Sequence, residues 1–319
     1  MDGEGGARFS LPVGEGAGSI LGLAAGDTAG GAFERGYASS TQQAVVVAYH
    51  LFRHGSVDRE SLAVELAELA GDDEQPSVLR GESPELAAWV ASRGEEKPRY
   101  SSEPGLDPAV RAVPLGVWYR RDPEALVRGV LDSSRVTHLD GPSAVVATAV
   151  AGAVAGSCFV QNGRDLLLGV WEIAMQAKKA IEADRLLYAH AEGLDDVVSR
   201  LRMTSGLLGA TLPEVAEALG EDPVGRTATA LVLVAPTSVR PEEAVEEAAA
   251  LGGSPLAAIA GAVLGARLGV RRWPWPFPND SWFVAIGERL VEQRVDLTDL
   301  PIPYAVEQRV THATDDQRL

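Results

Sequence analysis

Cysteine is almost absent from this chain: Cys158 is the single thiol among 319 residues. One cysteine excludes an internal disulfide and fits a reducing compartment, so a cytoplasmic location is expected. Positive charge is also short, 28 Lys and Arg against 45 Asp and Glu for a net charge of -17. That balance argues against a nucleic-acid backbone or an anionic membrane surface as the main partner. Aromatic residues make up only 6% of the chain, against 46% hydrophobic residues in all, so Ala, Val and Leu must build the core. Small aliphatics favour closely packed helices over a strand-rich sandwich. Long apolar runs are missing too. The longest, Ala144 to Val160, is rich in Ala and Gly and short for a membrane span, which makes it a central buried helix. The opening MDGEGGARFS has neither the basic start nor the apolar core of a signal peptide. No stretch alternates with period two between hairpin turns, and there is neither an internal repeat nor a low-complexity block.

What is present is helix punctuation. Ser83-Pro-Glu, Asp122-Pro-Glu and Ser254-Pro each pair an N-cap side chain with proline at the first helical position. Thr211-Leu-Pro-Glu is a capping box, with Gly220 as the stop. Arg240-Pro-Glu-Glu places acids in the first turn of a helix over Ala244 to Leu251, the favoured end of the dipole. Periodic segments near 58–70, 107–120, 123–136, 142–160, 164–190, 226–234 and 278–293 read as further helices. Two polar loops, 71–81 and 93–108, are long enough to suggest function. The expected architecture is all-α, a compact multi-helix orthogonal bundle forming one domain over 1–319, with flexible tails at 1–13 and 307–319.

One stretch organises the rest. Gly18 to Gln43 begins as a small-residue helix whose Gly18, Gly22 and Gly26 admit another backbone. It is expected to break at Gly26-Asp-Thr-Ala-Gly-Gly, present Glu34 and the polar run Ser39, Ser40, Thr41, Gln42 and Gln43, and restart as a helix at Ala44. A polar run between two buried helices must be satisfied internally or face a pocket, and a pocket is expected here.

Gly-Leu-Ala-Ala-Gly-Asp-Thr-Ala-Gly-Gly-Ala-Phe-Glu resembles the N-terminal signature of the ADP-ribosylglycohydrolases, which include the dinitrogenase-reductase-activating glycohydrolases. Three further motifs follow in the family's order. Pro104 to Gly116 is similar to its Gly-Asn-Gly-x-x-Met-Arg-x-x-Pro-Leu segment, a loop lying against the ADP-ribose; Gly105, Arg111, Pro114 and Leu115 match, and Leu106-Asp107 replaces Asn-Gly. Thr137-His138-x-Asp140 matches a Thr-His-x-Asp helix start. Leu251 to Ala266 resembles the closing Gly-Gly-Asp-Thr-Asp-Thr signature. The resemblance implies the family's all-α fold.

It also implies an altered chemistry. The family's Thr-Asp-Asp-Thr-Gln motif, whose first three residues hold a magnesium pair, falls on Ala38-Ser39-Ser40-Thr41-Gln42. Ser254-Pro255-Leu256 stands where two aspartates and a hydroxyl would complete the cage, with no acid between Ala248 and Leu264. Magnesium needs carboxylate oxygens, and two ions ~3.5–4 Å apart need several. The expectation is therefore no metal and no cofactor. Ser254 and Pro255 suit a plain helix start instead, and Ser39 to Thr41 suit the start of the helix at Ala44.

The resemblance implies roles for the remaining candidates. Glu34 sits where parts of the family place a glutamate assisting water attack on the anomeric carbon; its alternative is a loop carboxylate at a helix end. Asp27 is expected to hold the Gly26–Gly31 turn. His138 is an oriented helix-start histidine or a ligand contact. Arg111 is a salt-bridge partner or a phosphate contact. His50, His54, His190 and His312 show no metal-ligand spacing. Trp273-Pro-Trp-Pro-Phe-Pro is an apolar plug or a ligand-stacking wall. Asp27, Ser39, Ser40, Thr41, Gly105, Asp107, Arg111, His138 and Ser254 form the expected ligand set. The function expected is a non-catalytic protein binding a nucleotide-like ligand, such as ADP-ribose or a dinucleotide signal, and reporting it to a protein partner. Its alternatives are a metal-independent ADP-ribosyl hydrolase using Glu34 and a structural partner protein with a filled pocket.

Overall fold

The computed structural model describes residues 14–31, 36–71, 76–81, 83–93, 95–96, 98–160, 162–184 and 191–315. Among these, fourteen α-helices follow one another without a strand: α1 (Gly14–Gly30), α2 (Ser39–His54), α3 (Arg59–Ala70), α4 (Pro84–Ala91), α5 (Asp107–Trp118), α6 (Pro123–Ser134), α7 (Gly141–Ser157), α8 (Gly163–Ala183), α9 (Leu194–Met203), α10 (Leu212–Leu219), α11 (Pro223–Val234), α12 (Pro241–Leu268), α13 (Asp280–Glu292) and α14 (Pro303–Asp315). Four of the five punctuation marks open a helix where expected, at α4, α6, α10 and α12. Asp122 accepts from the Ala125 amide and opens α6, and Thr211 with Glu214 closes a capping box on α10.

The central relationship is between α1 and α12, which pack antiparallel at glycine spacing. A Cβ built on Gly22 would lie 2.1 Å from the Gly261 carbonyl oxygen, and one on Gly261 would lie 2.1 Å from that of Gly22. A Cβ on Gly26 would lie 2.0 Å from the Ala257 carbonyl oxygen. Only residues without side chains permit this approach. α12 is long and apolar enough to cross a membrane by length and composition, and 61% of its apolar window is buried, against α1, α5, α7 and α11. α7 is the expected buried helix, with Val145, Ala147, Val150 and Val154 all fully enclosed.

Four boundaries differ from the sequence reading. α1 does not break at Gly26 but runs to Gly30, because its glycine face is packed on α12. α2 starts at Ser39 and not at Ala44. Residues 307–315 are helical in α14, where Glu307 is 1% exposed and pairs with Arg80 at 2.6 Å. Glu307 also accepts from Gln42 Nε2 at 2.9 Å and from the Tyr37 hydroxyl at 3.1 Å, so a buried polar cluster pins α14 to α2. No sequence spacing announces that cluster. The helix expected over 164–190 ends at Ala183; 185–190 lie outside the described residues.

Candidate functional site

The close α1–α12 packing brings Asp27, fully buried, against Ser254, whose hydroxyl donates to Asp27 Oδ1. The other carboxylate oxygen, Oδ2, accepts three bonds from the start of α2: the Ala38 amide at 2.8 Å, the Thr41 amide at 2.9 Å and the Thr41 hydroxyl at 2.7 Å. Ala38 is the N-cap position of α2 and has no side chain able to cap. Asp27 caps α2 from another helix, and its negative charge sits at the positive end of that helix. Burial pushes its carboxyl above the ordinary 3.8, while the four hydrogen bonds oppose that rise. Asp27 therefore does not hold the Gly26–Gly31 turn as expected. It joins three helices.

Ser254 is not a simple cap either. α12 continues through it across a kink at Gly252 and Gly253, where Gly253 has φ 72°, ψ -159°, a conformation that favours glycine. The kink turns the Ser254 hydroxyl toward Asp27. Ser39, Ser40 and Thr41 are buried at 5%, 4% and 0% exposure, so the hydroxyl run is internal to the fold. Glu34 lies outside the described residues.

A second cluster gathers Gly105, Asp107, Arg111 and His138. Ser101 bridges the loop before α5 to Thr137 and Leu139 by backbone bonds of 2.8 and 3.1 Å. This lays Gly105 on the His138 imidazole, so closely that a Cβ there would sit 2.5 Å from Nε2. Arg111 is fully buried and gives its guanidinium to Gln43 Oε1 at 3.1 Å and Thr137 Oγ1 at 2.6 Å. Its Nε has no hydrogen-bond partner among the described residues. It forms no ion pair among the described residues, and Asp107 and Glu85 act on it through space only. Burial lowers its pKa to about 10 against their opposing pull. Asp107 instead accepts from Ser83 Oγ at 2.6 Å, which takes Ser83 away from capping α4.

Thr137 Oγ1 links the two buried groups: it accepts from Arg111 and shares a hydrogen bond of 2.8 Å with His138 Nδ1. His138 Nε2 is buried against Gly105 without a partner among the described residues. Burial first, then the Arg111 charge, depresses the His138 pKa from 6.5 to about 3. Asp140, two residues on, caps α7 by accepting from the Ser143 amide at 2.7 Å.

A third group joins two of the histidines in which the sequence showed no metal-ligand spacing. His50, His54 and Glu65 bring ligand atoms within 4.8 Å of one another. The bonds present argue against a metal. His50 Nε2 accepts the Asp58 amide at 2.9 Å, so the proton is on Nδ1 and is given to Glu65 at 3.1 Å. Arg53 also pairs with Glu65 at 2.8 Å. The group anchors α3 to α2.

A family model described as ADP-ribosylglycohydrolase matches residues 15–301. A solved structure described as an ADP-ribosylglycohydrolase-related protein complex is similar at 20% identity, with a TM-score of 0.63 over 88% of this chain and 98% of that one. At that identity the likeness concerns the fold. Comparison with the curated proteins found no match.

Proposed function

This chain belongs to the ADP-ribosylglycohydrolase family, and we propose that it is a member without metal-dependent hydrolysis, acting as a non-catalytic, nucleotide-binding regulatory protein. The observation that carries this reading is the saturation of Asp27. Both of its oxygens are taken, by four donors from α2 and α12. A magnesium pair requires several free carboxylate oxygens to offset four positive charges. The residues at the corresponding places, Ser39, Ser40, Thr41 and Ser254, supply hydroxyls only, and two of those hydroxyls are already given to Asp27. The residues present do not fit the metal pair.

Arg111 supports an anionic ligand. It is a buried cation without an ion pair among the described residues, beneath the half-exposed loop from Gly105 to Asp107. Without metal-holding acids, a phosphate-bearing ligand such as ADP-ribose meets less repulsion. Titration calorimetry with ADP-ribose tests this: binding indifferent to magnesium is expected, and magnesium-enhanced binding overturns the reading. A second reading, a partner protein whose pocket is filled by its own side chains, is favoured by the burial of Asp27, Thr41, Arg111 and His138. The related solved structure is described as a complex, which supports seeking a protein partner under either reading. A cytoplasmic location belongs to the same proposal.

A further inference from the structure

The segment Trp273-Pro-Trp-Pro-Phe-Pro is the wall of an open cleft of about 890 Å³ at the far end of the α1–α12 pair. Leu21 of α1 lines this cleft six positions before Asp27, about 9 Å away along the helix axis, so it is a different place from the Asp27 cluster. The volume lies within the range of small-molecule sites. The indoles of Trp273 and Trp275 are nearly parallel, 21° apart with centroids at 6.0 Å, and the intervening prolines hold them with little freedom to lose on binding.

Polar groups converge on the same wall. Trp273 is 6% exposed, yet its indole N–H has no acceptor among the described residues. The Arg271 guanidinium lies 5.0 Å from the Trp273 ring centre and pairs with Glu242, and its Nε is likewise buried without a partner. Arg272 is exposed and forms no ion pair among the described residues. Asp280 is the opposing charge on the rim; with Ser281 it begins α13, whose amino end opens on the cleft. Two adjacent arginines beside a double indole are conspicuous in a chain of net charge -17.

We infer that this cleft binds a planar heteroaromatic anion of the nucleoside phosphate class. The ring stacks on Trp275, and the phosphate meets Arg272 at the mouth. Indole faces accept any base by stacking, while the guanidinium selects those that carry charge.

The test is titration calorimetry of the full chain with AMP and with adenosine, on the wild type and on Trp275→Ala, Trp275→Phe and Arg272→Ala. Trp275→Ala is expected to weaken AMP binding about tenfold or more, with Trp275→Phe recovering most of it. Arg272→Ala is expected to weaken AMP binding and leave adenosine unaffected. Thermal unfolding matched to wild type shows that the variants fold, as expected for half-exposed and exposed positions. No AMP binding by the wild type at millimolar concentration, or equal AMP affinity in all four proteins, overturns the inference. Ser281→Glu, which adds an anion at an exposed position of the lining, serves as the second arm: weaker AMP binding with adenosine unaffected keeps the phosphate in this cleft, whereas unchanged AMP affinity places the ligand elsewhere and overturns the proposal.

Discussion

The carboxylate of Asp27 holds Thr41 twice, through the backbone amide at 2.9 Å and the hydroxyl at 2.7 Å, although fourteen residues separate them. A cap supplied from a different helix makes the start of α2 dependent on tertiary structure. It also makes Asp27 a packing residue with a formal charge, which no local rule about turns would suggest.

Asp27→Ala is expected to destabilise the fold by about 3–5 kcal/mol, because it strands buried donors and uncaps α2. Thr41→Val and Ser254→Ala, each removing one donor, are expected to have smaller effects of about 1 kcal/mol. Urea unfolding of the three variants checks the order. Equal stability of Asp27→Ala and wild type would show that the carboxylate does not hold the helices together.

Magnesium is expected to leave the unfolding temperature of the wild type unchanged at millimolar concentration, since a ligand stabilises only the state that binds it. A rise in melting temperature on adding magnesium, lost in Asp27→Asn, would place a metal against this carboxylate and contradict the proposed function.

His138 gives a pH dependence with a definite sign. Its folded-state pKa is about 3, below the ordinary 6.5. Between those values the unfolded chain holds a proton that the folded protein does not, so stability falls as pH drops through this window and is fully present above it. The difference amounts to about 5 kcal/mol at its limit. Comparing urea midpoints of wild type and His138→Gln from pH 7 to pH 4 isolates it: the variant is expected to lose less stability on acidification.

The α1–α12 seam is expected to tolerate no methyl group. Gly22→Ala and Gly261→Ala each drive a Cβ to within 2.1 Å of a carbonyl oxygen on the facing helix. Overpacking against backbone is expected to cost about 3 kcal/mol or more. Differential scanning calorimetry reads this directly, and Gly169→Ala, with nothing within 4 Å of its added Cβ, is the control.

Breaking the Arg80–Glu307 pair from one side, as in Arg80→Met, is expected to destabilise by about 3–5 kcal/mol by leaving a buried carboxylate. Arg80→Met with Glu307→Leu is expected to recover most of that loss. A double variant no better than the single one would show that the pair holds α14 by its charge.

The helical class was legible because composition and punctuation agree: sparse aromatics, Pro at helix starts and the Thr211 capping box all point the same way. The glycine face of α1 was also legible, since Gly18, Gly22 and Gly26 recur at one helical spacing. The partners of the polar groups were not. Asp27 looks like a turn residue because its neighbours are glycines, and its real partners lie on α2 and α12. Ser254 and Ser83 look like caps, but each meets a carboxylate from elsewhere first. Glu307 sits in a polar tail by sequence, and its partners Arg80, Gln42 and Tyr37 all lie far along the chain. In each case the local signal lost to a contact at long separation, which a linear pattern does not encode.

The closeness of α1 and α12 has an evolutionary corollary. Because glycines set the gap, position 254 cannot retreat from Asp27. Putting an aspartate there by a single mutation would press two anions together in a dry interior and cost stability before any cation-binding advantage appeared.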